Sequence, residues 1–125
     1  MTKASNFTLK QLEQEILQCI QELYVDLLGH QPQQVFCQLV DKTLTVLIED
    51  SITQPEQILF NSGKQDLVKQ VRSNIHVAVE SRIRKSIEEI VGVQVTDLFA
   101  DSTLATRRTS IVAILATAPH IVESN

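Results

Sequence analysis

From Lys64 to Val91 the chain runs without proline or glycine, bounded by Gly63 and Gly92. A stretch this long, without a breaker and rich in helix-tolerant residues, predicts a single long helix. Its apolar residues Leu67, Val71, Ile75, Val79, Ile83, Ile87 and Val91 recur every four. A helix turns about 100° per residue, so a four-residue ridge drifts by about 40° at each step. Leu67, Val71, Ile75 and Ala78 then share one face, and Val79, Ile83, Ile87 and Ile90 lie about a quarter-turn or more away. One flat sheet cannot cover both sets. Either the helix bends between Ser73 and Ser81, or its second half packs on a different surface. That surface is the chain's own first helix or a second copy of the protein.

The other elements follow from local signals. Phe7-Thr8-Leu9-Lys10-Gln11-Leu12 reads as a helix start, with Thr8 and Gln11 as a capping box and Phe7 stapled to Leu12. This helix runs to Leu28 and ends at Gly29. Leu9, Leu12, Ile16, Ile20, Leu23 and Leu27 form its core stripe, and Leu17, Tyr24 and Leu28 a second stripe beside it. A face that broad suits two packing surfaces or a partner. Val35–Val40 and Leu44–Glu49 read as strands joined at Asp41-Lys42, where a lysine in place of glycine suggests a loop longer than two residues. Val35, Cys37 and Leu39 share a buried side with Leu44, Val46 and Ile48, which makes Cys37 a core residue and not a reactive thiol.

Thr53-Gln54-Pro55-Glu56 is a second capping box, opening a short helix that reaches about Asn61 and ends at Gly63. All three glycines thus follow a predicted helix. Val93–Ala100 and Thr109–Thr117 are the remaining strands, with a polar loop from Asp101 to Arg108. The order α-β-β-α-α-β-β predicts one α+β domain over residues 1–125: two layers, an antiparallel four-stranded sheet with the helices on one face. The pattern does not give the strand order.

A chain of 125 residues with 43% apolar content suits a single soluble core. The net charge of −4 disfavours nucleic acid and anionic lipid as bulk partners. One tyrosine and no tryptophan leave few platforms for base stacking. No signal peptide and no membrane span are legible, so a cytosolic chain with Cys19 and Cys37 reduced is expected.

His30, His76 and His120 are scattered and do not show metal-ligand spacing, so no metal is expected. His76 stands where the seam of the long helix shifts phase. No phosphate loop or nucleophile motif is present, which gives no catalytic residue and no cofactor. Arg82 and Arg84 on the long helix, with Arg107 and Arg108 at the last hairpin, would make an anion-binding surface if the fold brings them together.

Three stretches carry a resemblance. They are the strand Leu44-Thr45-Val46-Leu47-Ile48-Glu49; the short-helix start Ile52-Thr53-Gln54-Pro55-Glu56 with GKQDLVKQVR from Gly63 to Arg72; and Ile87-Glu88-Glu89-Ile90-Val91-Gly92-Val93-Gln94-Val95, followed by Asp101-Ser102 and the closing strand. In this order and spacing, from Leu28 to Leu115, they resemble the bacterial MpsC-like domain family. The sequence departs from that pattern at Gly29-His30-Gln31-Pro32-Gln33, where the family has a glycine- and proline-rich approach. The resemblance implies an accessory role beside a sodium-translocating, membrane-potential-generating system whose other members look like ion-transport and inorganic-carbon-uptake proteins. It carries over no catalytic residue.

The sequence therefore leads to the expectation of a non-enzymatic, cytosolic interaction or regulatory domain. It would be a homodimer and peripheral to a membrane ion or inorganic-carbon transport system. Its partner surface would be Leu17, Tyr24, Leu28, Val79, Ile83, Ile87 and Ile90. The alternative is a small-ligand or anion-binding module on Arg82, Arg84, Arg107 and Arg108. Nucleic acid is not an expected partner.

Overall fold

The computed structural model describes residues 7–122. Its elements are α1 (Leu9–Leu28), β1 (Gln34–Val40), β2 (Thr43–Glu49), α2 (Gln54–Asn61), α3 (Gln65–Val91), β3 (Val95–Thr103) and β4 (Arg108–Leu115). The strands form one antiparallel sheet in the order β1-β2-β4-β3. α1 and α3 pack on one face of it, and α2 packs against α3. The fold is the expected α+β arrangement.

The local signals operate as read. Thr8 accepts from the Gln11 amide at 3.2 Å, and the Gln11 side chain accepts from the Thr8 amide at 2.9 Å. Gly29 and Gly92 close α1 and α3 in the left-handed conformation. The first hairpin is tighter than expected. Val40 pairs with Thr43, so Asp41-Lys42 is a two-residue loop, and Asp41 itself takes the left-handed turn at φ 56°. The second hairpin is also shorter than expected, with β3 reaching Thr103 and β4 starting at Arg108. The polar residues continue the ladder because Ser102 and Thr109, paired in register, satisfy each other's hydroxyls across the strands.

Rows across the sheet define two faces. Leu39, Leu44, Ala113 and Leu98 form one inward row, and Cys37, Val46, Ile111 and Ala100 the next. These rows pack against Leu12, Ile16, Ile20 and Leu23 of α1 and Val79, Ile83, Ile87 and Ile90 of α3. On the outward face, Phe36 stands beside Leu47, and Thr45 leads through Val112 to Phe99.

Two expectations about the helices are corrected. Val79, Ile83, Ile87 and Ile90 are only 6%, 3%, 1% and 4% exposed within a single chain, so their burial calls for no second copy. Tyr24 is buried as well, and Leu17 and Leu28 are half-buried against the same core, so the expected partner surface is largely interior. The buried residues of α3 make one broad stripe that passes through a charged residue. Val68, Arg72, Val79, Ile83, Ile87, Ile90 and Val91 fall within about 140° of one another on the helix. Leu67, Val71 and Ala78 sit beside this stripe and are exposed or half-buried. The covered end is thus the C-terminal half of α3. At about 1.5 Å per residue α3 is about 40 Å long, while a nine-residue strand spans about 30 Å. The overhanging first turns pack on α2 instead. In α1, Leu9 and Leu27 prove exposed at the helix ends.

Candidate functional site

The four arginines do not converge. Arg84 donates from Nη1 to the Val95 carbonyl at 2.9 Å, at the start of β3. Arg108 pairs through Nε with Glu49 at 2.6 Å, next to the far end of β3, where it stands opposite Thr103. Val95 to Thr103 is eight strand steps, about 26 Å. Arg82 is exposed and projects about 160° around α3 from Arg84. Arg107 occupies the hairpin turn at φ 62°. A shared anion surface is therefore ruled out by the length of the hairpin.

The structure builds a polar cluster elsewhere, between the N-terminal half of α3 and the inner face of the sheet. Arg72 and Glu56 are both buried and form a two-bond pair: Arg72 Nε to Glu56 Oε2 at 2.7 Å and Nη2 to Oε1 at 2.6 Å. Nη2 also donates to the Ser51 carbonyl at 3.1 Å. The Glu56 carboxylate accepts from the Thr53 amide at 3.0 Å, so one side chain serves both the helix cap and the ion pair. Arg72 Nη1 is buried without a hydrogen-bond partner. A hydroxyl chain adjoins the pair. Ser51 Oγ and Thr109 Oγ1 lie 2.6 Å apart, Thr109 Oγ1 and Ser102 Oγ 2.6 Å apart, and Ser102 Oγ and His76 Nε2 3.1 Å apart.

This cluster borders a half-open cavity of about 200 Å3 between α3 and β3. Its floor is Tyr24, Thr109, Ile111, Val79 and Ile83, all buried. His76 and Leu98 form half-buried walls, and Val77, Glu80 and Ala100 make an exposed rim. Ala100 faces the helices yet stays exposed, because α3 leaves this part of the edge strand uncovered. Burial, followed by the Arg72 guanidinium, holds His76 below its ordinary imidazole pKa. Asp101, Glu56 and Glu80 oppose that shift, each less strongly than Arg72 promotes it. Burial raises the Tyr24 phenol, and there too Arg72 is the strongest single charge. A serine–histidine pair can begin a nucleophile–base arrangement. Here Ser102 is also tied to Thr109, within a chain that crosses the sheet.

Sequence reasoning singled out His76 and missed Glu56, Arg72, Ser51, Ser102 and Thr109. A signal for Arg72 existed. It sits four residues after Val68 and seven before Val79, at a core position of the helix, and a charge there requires a buried opposite charge. Among the described residues no group of three or more His, Cys, Asp or Glu is arranged to hold a metal ion.

The second feature is the uncovered sheet face. Phe36 and Phe99 are 45% and 59% exposed there, with Val40 exposed and Leu47, Val112 and Ile114 half-buried. Asp97 and Asp101 flank this surface on β3, and its one arginine, Arg108, is paired with Glu49. Among the described residues no helix is long and apolar enough to cross a membrane.

A family model described as "Na+-translocating membrane potential-generating system (MpsC)" matches residues 8–117. No curated protein and no solved structure matches the chain. The match takes in every helix and strand of the fold, and the chain accordingly belongs to the MpsC family.

Proposed function

We propose that this chain is a non-enzymatic accessory domain of a Na+-translocating, membrane-potential-generating system, held peripherally to a protein subunit of that system. The observation that carries the reading is the open sheet face, where Phe36, Phe99 and Val40 stand in solvent on one continuous surface. A sheet with one face covered by helices and the other studded with exposed aromatics has room for a further layer. The description of the family supplies the system. The lack of a membrane-crossing helix among the described residues fits a peripheral attachment.

Charge selects the kind of partner. Asp97 and Asp101 flank the apolar surface, while Arg108 is neutralised by Glu49. An anionic bilayer would meet the repulsion of Asp97 and Asp101 across this face. An apolar protein segment with basic flanks fits instead. The test is Phe36→Ser combined with Phe99→Ser, two exposed sites at which stability should change by less than about 1 kcal/mol. Wild-type chain should co-purify with an integral-membrane subunit of a Na+-translocating system, and the double variant should lose at least about tenfold of that recovery. Unchanged recovery would overturn the reading. So would sedimentation of the wild-type chain with vesicles of anionic lipid alone. A micromolar dimer in light scattering that the double variant abolishes would give the face to a second copy instead.

A further inference from the structure

The cavity between α3 and β3 lies on the helical side of the sheet, and the docking role makes no use of it. We propose that it binds a small monocarboxylic acid with a short apolar tail. The carboxylate sits at the His76, Thr109 and Tyr24 end, and the tail lies along Ile83, Leu98 and Ile111.

Size sets the first limit. A space of about 150 Å3 accommodates benzene, so the cavity's volume of about 200 Å3 suits a ligand of about eight non-hydrogen atoms. Polarity is segregated inside it. Ile83, Leu98 and Ile111 offer only hydrocarbon, while His76 and Thr109 are drawn together through Ser102 and, with Tyr24, bring an imidazole and two hydroxyls to the lining. A uniformly polar or uniformly apolar molecule would leave one end mismatched.

Charge sets the sign of the head group. Arg72 is buried within one hydrogen bond of Ser51, which joins directly to Thr109 in the cavity floor. Its Nη1 makes no hydrogen bond to the described residues, so the guanidinium is not fully satisfied by Glu56. It is the strongest single charge acting on both His76 and Tyr24, ahead of Glu56 at each. A negative head group at that end meets the Arg72 guanidinium as the strongest single charge beside His76 and Tyr24, with the Glu80 carboxylate kept to the exposed rim. Access is open across the rim, where Val77, Glu80 and Ala100 are exposed.

The experiment is an NMR titration of the His76 ring resonances with hexanoate and benzoate, against hexan-1-ol and benzyl alcohol as neutral analogues of similar shape. The carboxylates should saturate the shift with dissociation constants of about 1 mM or below, a range open to ligands of this size. The alcohols should bind at least about tenfold more weakly. Ala100→Phe, at an exposed rim position, should abolish the shift while the circular dichroism spectrum is kept. Phe36→Ser with Phe99→Ser, on the opposite face, should leave it intact, which separates this site from the docking surface. Alcohols that bind as well as the acids would overturn the proposal, as would full binding to Ala100→Phe. Absence of any His76 shift at about 10 mM acid, ten times the expected constant, would do the same.

Discussion

Replacing Arg72 by methionine should be among the most damaging single substitutions in this protein. The side chain donates two bonds to Glu56 and one to the Ser51 carbonyl, and both members of the pair are buried. Arg72→Met leaves the Glu56 carboxylate in the interior with only the hydrogen bonds from Thr53. Breaking a buried pair from one side costs about 3–5 kcal/mol. Against a total stability of about 5–15 kcal/mol this is a large share. With a urea m-value of about 2 kcal/mol/M, the midpoint should fall by about 2 M. The double variant Arg72→Met, Glu56→Leu behaves differently. It removes both charges and the unpartnered Nη1, whose burial itself costs about 1–3 kcal/mol, and gives up the cap on Thr53, worth about 1 kcal/mol. Its midpoint should lie within about 1 M of wild type. Urea denaturation followed by far-ultraviolet circular dichroism of the wild type, both single variants and the double variant completes the cycle. Single losses below about 1 kcal/mol that simply add in the double variant would refute the reasoning, because that is how a solvated pair behaves.

Two further outcomes follow from burial. Ile87→Ala should cost about 2–5 kcal/mol and leave the association state in light scattering unchanged, since Ile87 is enclosed by its own chain; a lowered association state with stability intact would contradict this. Burial, then the Glu13 carboxylate, pushes the Cys37 thiol up to about 12. The folded state therefore holds the Cys37 proton more tightly than the unfolded state. This contribution to stability is complete below pH 9, the ordinary value for this thiol, and is lost as pH rises towards 12. Iodoacetamide at pH 8, followed by peptide mass mapping, should modify Cys37 about a thousandfold more slowly than an ordinary thiol, and an ordinary rate would place the thiolate in solvent.

The arginines and the long helix show where sequence reading stopped. The period of α3 was visible, but its phase was misread because Arg72 was left out of the seam. Once Arg72 is admitted as a core residue, the winding ridge becomes part of one broad stripe covered by its own chain, and the need for a companion chain disappears. The admission depends on Glu56, sixteen residues earlier, being folded against the same face. The anion surface failed for a similar reason. Arg84 and Arg107 both belong near the last hairpin, but the β3–β4 register puts them at its two ends.

What the sequence determined by itself was local. Thr8, Thr53, Gly29 and Gly92 set helix ends because capping bonds and left-handed turns act within a few residues. Alternation in Leu44–Glu49 fixed the buried face of that strand because side chains in a strand alternate. The tertiary structure alone decided the order β1-β2-β4-β3, the phase of α3, and the meeting of Ser51, Arg72, His76, Ser102 and Thr109. Those residues lie on four different segments. Their contact is a product of which segments the sheet and helices bring together, and a pattern read along one element holds no record of what packs against it.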